Sequence, residues 1–273
     1  MNETQVAVLP AHRTVTDIGD EPASGKAKPR RCGQGQGSFR GVHELEYRTV
    51  TEPASGGGPP HLGELLERRI SVERLAPYRR AVGGDVDEVA DLYVWNAEVA
   101  SAFSVVIGQF EVVLRNALHE QLTIRHAASR RPGQWYDDHV TLPDNHRHRD
   151  VAKARQRLVQ NRKVETPGRM VAELTFGFWR LLLDSRHQTT LWAQSLRHAF
   201  PYLQPQRRID AYGPIDRSNS LRNRIAHHEP IHHLDLALRH QELLTVAGYI
   251  EPDVHAWLAS ISRVHTVLAS RPC

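Results

Sequence analysis

Residues 85–125, DVDEVADLYVWNAEVASAFSVVIGQFEVVLRNALHEQLTIR, decide the fold. Asp85 is a suitable N-cap, and Asp87 and Glu88 bring negative charge into the first turn. Apolar residues then recur at Val89, Leu92, Val99, Phe103, Val106, Phe110 and Val113, and again from Ala117 to Leu122. A three-and-four spacing keeps one helical face apolar throughout, so the stretch predicts one long amphipathic helix ending near Arg125.

C-terminal to it, Trp135 to Asn145 reads as a loop and His146 to Asn161 as a basic helix. Thr166-Pro167 supplies an N-cap and first residue for a helix that carries Met170, Val171, Leu174, Phe178, Leu181 and Leu182. Further helices are expected over Thr189 to Phe200, over Gln206 to His228 with Gly213-Pro214 as a candidate break, over Asp235 to Ala247 and over Asp253 to Ala269. No run alternates as strands do, so the fold class is all-α, a helical bundle around one long central helix. N-terminal to the long helix, order is expected from near Leu62. Residues 1–60 contain Gly33 to Gly37 and Glu52 to Pro60 and few large apolar side chains, the composition of a disordered tail, with a basic arm at Lys26, Lys28, Arg30 and Arg31. The expected division is therefore a tail over 1–60 and a helical domain over 61–273.

A chain of 273 residues can bury a sizeable core. Its two cysteines, Cys32 and Cys273, carry no metal spacing and fit a reducing compartment. No uninterrupted apolar run approaches the roughly 20 residues of a membrane span. The N-terminus lacks the apolar stretch of a signal peptide. A cytoplasmic protein with no membrane partner and no cofactor is expected. The net charge of +4, with 35 Lys plus Arg and 17 His, is compatible with a polyanionic partner.

The run Leu221-Arg222-Asn223-Arg224-Ile225-Ala226-His227-His228-Glu229-Pro230-Ile231 carries the chemistry. Arginine remains protonated and matches phosphate oxygens with a planar fork, whereas histidine moves protons near neutrality. Asn223 and His227, four apart, share a helical face, and the long Arg222 side chain can swing to join them. Glu229 precedes proline, so the helix should end near His228. A histidine in that last turn meets unpaired carbonyls and the negative end of the helix dipole, a setting suited to a general acid or a phosphate-binding group. His228-Glu229-Pro230-Ile231-His232 also satisfies the letters of the zinc-protease pattern H-E-x-x-H. That chemistry needs both histidines on one continuous helix, which Pro230 opposes, so no metal site is assigned.

Three other polar or aromatic groups invite two readings each. Glu111 and Arg115, four apart with Asn116 beside them, form either a helix ion pair of little consequence or a cluster that faces and orients the Arg222 to His227 run. The placement of charge inside an apolar stripe favours the second. Phe176-Gly177-Phe178-Trp179 is read as core in preference to a base-stacking platform. His139, His146 and His148, set among Arg147 and Arg149, are read as a solvated or RNA-facing loop because those cations would repel a metal.

The Arg222 to His227 run resembles the Arg-x4-6-His signature of the HEPN superfamily, in the Asn-containing, His-His-Glu-Pro-ended form of Abi-like (abortive-infection) proteins. Leu92-Tyr93-Val94-Trp95-Asn96, Phe110-Glu111-Val112-Val113-Leu114-Arg115-Asn116-Ala117 and Leu174-Thr175-Phe176-Gly177-Phe178-Trp179 match the same pattern in order, so the resemblance covers about 70 to 245. It implies a metal-independent endoribonuclease in an abortive-infection or toxin–antitoxin setting, with RNA as substrate and an RNA or protein antitoxin as partner. His227 would transfer protons, Arg222 would stabilise phosphoryl charge and Asn223 would position the phosphate or the imidazole, with Glu111, Arg115, Asn116 and His228 in support. One histidine per chain leaves the acid or the base unfilled, and the resemblance implies a homodimer that brings two motifs together. The alternative is a non-catalytic RNA-binding or protein-interaction module of the same superfamily.

Overall fold

Two short helices, α1 (Leu62–Ile70) and α2 (Val72–Val82), lead into the long helix α3 (Val86–Ala128). The computed structural model describes residues 62–272, and the tail expected over 1–60 lies outside them. Asp85 caps α3 as its position suggests, its carboxylate accepting the N–H groups of Asp87 and Glu88 at 3.0 and 3.1 Å. Val89, Leu92, Val99, Phe103, Val106 and Phe110 are buried along one face, each removal from water being worth about 1.5–3 kcal/mol. Beyond Phe110 the stripe passes to Leu114, Leu118 and Leu122, leaving Val113 and Ala117 half-buried at its margin.

The 129–144 segment is a loop, yet Trp135 and Tyr136 turn inward, and the Trp135 indole donates to His119 Nδ1 at 2.8 Å. Helix α4 (Asn145–Gln160) follows, capped by Asp144. The single helix expected after Thr166 is two, α5 (Pro167–Glu173) and α6 (Phe176–Leu181). Leu174 is extended and Thr175 caps α6 through Phe178 N–H at 3.3 Å. Leu174, Phe176, Phe178 and Trp179 are all buried around this break.

The helix expected over 189–200 is also corrected. A 3-10 turn at Ser185–His187, a π turn at Gln188–Trp192 and a second 3-10 turn at Leu196–Ala199 take its place. Leu191, Trp192, Leu196, Ala199 and Phe200 are buried there at a spacing that one helical face would also satisfy, so the periodicity that predicts a helix does not reveal the breaks. By contrast α7 (Arg208–Ala226) runs unbroken through Gly213-Pro214. Gly213 lacks the Cβ that pushes a residue before proline out of the α region.

Helix α8 (Leu236–Ile250) is capped by Asp235. The last expected helix is two, α9 (Pro252–Ile261) and α10 (Val264–Ala269), parted by an extended Ser262 whose hydroxyl lies 2.8 Å from His240 Nε2 on α8. Trp95 on α3 donates to the Val267 carbonyl at 2.8 Å and ties α10 to the long helix.

The described residues are thus all-α, with α1, α2, α7, α8 and α10 packed about α3. By length and composition α3 is the one described helix able to cross a membrane; here it forms the centre of the bundle.

Candidate functional site

Ala211, Ile215, Ser218 and Leu221 are buried and fix the inner face of α7. That register turns Arg222, Asn223 and His227 outward, and all three are exposed. Their side chains make no hydrogen bond to any described residue, so their polar atoms are free to meet a ligand.

The helix stops one residue before His227, whose N–H still bonds to the Asn223 carbonyl at 3.0 Å. His228 follows at φ +54°, in the left-handed region. Its N–H reaches the Ile225 carbonyl at 3.0 Å while Glu229 N–H reaches Arg224 at 2.8 Å, the paired bonds of a Schellman cap. Glycine is the usual occupant of that position, and a histidine there is strained. The turn is held from three sides. Arg74 of α2 donates to the His228 carbonyl, Arg224 donates to the Pro230 carbonyl at 3.3 Å, and Asn96 of α3 accepts the Ile231 and His232 N–H groups at 2.8 and 3.1 Å. His232 is buried with its ring against Tyr78, centroids 4.8 Å apart. His228 and His232 therefore do not converge, and Pro230 lies outside any helix.

A pocket of about 280 Å³ opens between α3 and α7, lined by Ser104, Ile107, Gly108 and Glu111 on one side and Arg222, Ile225 and Ala226 on the other. A second, of about 430 Å³, is lined by Arg74, Tyr93, Asn96, Ser101, His228 and Glu229 among others. They share Ser104, Ile225 and Ala226, so one groove passes the end of α7. His227 follows Ala226 in the chain but lines neither pocket. A larger cavity, about 710 Å³, lies between α3 and the C-terminal helices; Glu98 and Arg263 are its only charged lining residues, and it is remote in character from the Arg222 chemistry.

Glu111 is half-buried in the smaller pocket. Burial pushes its carboxyl above the usual carboxylate value, against the pull of Arg222, Arg115 and the Phe176 N–H at the start of α6. Glu111 and Arg222 line the same pocket from opposite helices. The helix ion pair with Arg115, the alternative reading, does not form, and Arg115 Nε is buried with no partner among the described residues. Neither Arg115 nor Asn116 lines either pocket, and Asn116 is exposed. His228 offers its backbone carbonyl to Arg74 and lines the larger pocket.

Phe176, Phe178 and Trp179 are core, as expected. His139 and His148 stack at 3.8 Å well away from these helices in sequence, with His146 exposed. Arg74, Ser104 and Gly108 were not singled out by sequence. Arg74 offers no sequence signal, whereas Asn96, a polar residue inside the apolar stripe of α3, marks itself as a buried hydrogen-bonding group.

No family model, no curated protein and no solved structure matches the chain.

Proposed function

We propose that this chain is a metal-independent endoribonuclease of the Abi-like HEPN kind, a cytoplasmic toxin or abortive-infection effector. The observation that carries this reading is the exposed Arg222, Asn223 and His227 at the end of α7, unpartnered among the described residues, beside a groove that also presents Glu111. A purely structural motif would spend those side chains on neighbours, and these are unspent. In the proposed reaction a ribose 2′-hydroxyl attacks the adjacent phosphorus, the 5′-oxygen leaves, and the ends are a 2′,3′-cyclic phosphate and a 5′-hydroxyl. His227 carries a proton to or from the reacting oxygens, Arg222 offsets charge on the phosphoryl oxygens, and Asn223 positions the phosphate.

Each step requires one acid and one base, and a single imidazole per chain fills one role. A second copy would fill the other. The outer face of α3 supports such an arrangement: Ser101, Ser104, Val105, Gly108, Gln109 and Val112 are exposed, an uncharged strip of about three turns that ends beside Glu111 and Arg222. Side-by-side expression of wild type and His227→Ala tests the reading. Growth arrest with fragmented total RNA in wild type alone is expected; equal outcomes in both would remove His227 from the chemistry.

A further inference from the structure

Glu111 is a half-buried acceptor that the chain itself leaves largely unused. An ionised carboxylate offers about four lone-pair sites. Among the described residues it forms no salt bridge; Arg222, Arg115 and the Phe176 N–H draw on it from nearby without saturating its oxygens. Desolvated acceptors without donors are costly, so a ligand that supplies two donors at that spot gains more than it would at the surface.

The walls define the ligand's shape. Ile107 and Ile225 come from facing helices, and between them Gly108 leaves the α3 backbone bare: a Cβ there would meet nothing within 4 Å. The volume of about 280 Å³ is at the lower edge of the roughly 300–1,000 Å³ typical of small-ligand sites, enough for one flat ring system with the rest of the molecule outside. Arg222 lines the same pocket and can meet a phosphate attached to that ring's sugar.

Building on the endoribonuclease reading, we propose that this pocket is a base-recognition site for guanine, with Glu111 as its specificity-determining residue. Guanine's Watson–Crick edge presents the N1–H and N2–H donors side by side, matched to two carboxylate oxygens. Adenine and cytosine each place a ring-nitrogen acceptor beside their amino group, and uracil flanks its single N–H with two carbonyls, so each sets at least one acceptor against the carboxylate. Ile107 and Ile225 supply apolar contact to the ring, and Arg222 holds the phosphate next to the base, which sets the scissile linkage beside a guanosine.

The test is calorimetric titration of the full chain with 5′-GMP, AMP, CMP and UMP, which reads binding without requiring cleavage. GMP should bind about tenfold more tightly than the others, the discrimination a bidentate pair provides. Glu111→Gln should abolish that margin. Gly108→Leu, a favourable change for an exposed helix position, should weaken all binding by filling the pocket while leaving the helical signal intact. Equal binding of the four nucleotides, or a GMP preference that survives Glu111→Gln, would overturn the proposal. A Glu111-dependent GMP preference without any RNA cleavage would sustain it and remove the endoribonuclease reading, while His227-dependent cleavage indifferent to base would do the reverse.

Discussion

Asn96 holds Ile231 across 135 positions of sequence: its side-chain oxygen accepts the Ile231 N–H at 2.8 Å, inside the bundle. The same oxygen takes the His232 N–H at 3.1 Å. This one amide fixes where the chain leaves the His227-His228 turn. Asn96→Ala strands two buried donors, and a loss of about 2–4 kcal/mol in urea unfolding is expected. A change within a few tenths would mean that the segment after α7 is held by something else.

His228 occupies a left-handed position that favours glycine. The Arg74 bond goes to its backbone carbonyl and survives any substitution. His228→Gly should therefore raise stability by about 1 kcal/mol, the usual relief of a non-glycine residue in that region. A destabilised variant would show that the imidazole contributes contacts worth more than the strain.

His119, His187, His232 and His240 are all shifted below the ordinary imidazole value, with burial as the largest cause in each. The folded protein then binds fewer protons than the unfolded chain once pH falls below about 6.5. Their contribution is complete above that pH and is lost as pH falls through the depressed folded values. The urea midpoint should drop between about pH 7.5 and 5.5. His232→Phe keeps a ring against Tyr78 and removes one titrating, partner-poor group, so its drop should be smaller. A midpoint flat across that range would contradict the burial of neutral imidazoles.

Glu111 and Arg222 approach one pocket from opposite helices. Glu111→Gln should cut RNA cleavage by about tenfold or more without unfolding, and adding Arg222→Ala should cost little beyond Arg222→Ala alone, since coupled groups do not sum. Fully additive losses would place Glu111 outside the site.

The long helix and its cap were legible in sequence because Asp85 and a regular apolar stripe say the same thing at two levels. The breaks at Leu174-Thr175 and Ser262 were not. They exist so that Phe176, Phe178, Trp179 and Val264 can reach the core, a tertiary demand that local periodicity does not encode. Arg222, Asn223 and His227 announced themselves by residue type and spacing. Their exposure depended on which face of α7 is buried, and the place of Glu111 in one pocket with Arg222 depended on how α3 meets α7, both set only by packing. Arg74, 154 positions from the carbonyl it binds, could be found only in three dimensions.

The proposed chemistry is tested most directly by the ends it leaves. Purified full-length wild type and His227→Ala are incubated with the same RNA in EDTA, and the products are analysed for a 2′,3′-cyclic phosphate and a 5′-hydroxyl. Such ends from wild type, with at least about a hundredfold loss in His227→Ala at an unchanged thermal midpoint, are the expected result. Equal cleavage by the variant, or cleavage that EDTA abolishes, would contradict the account.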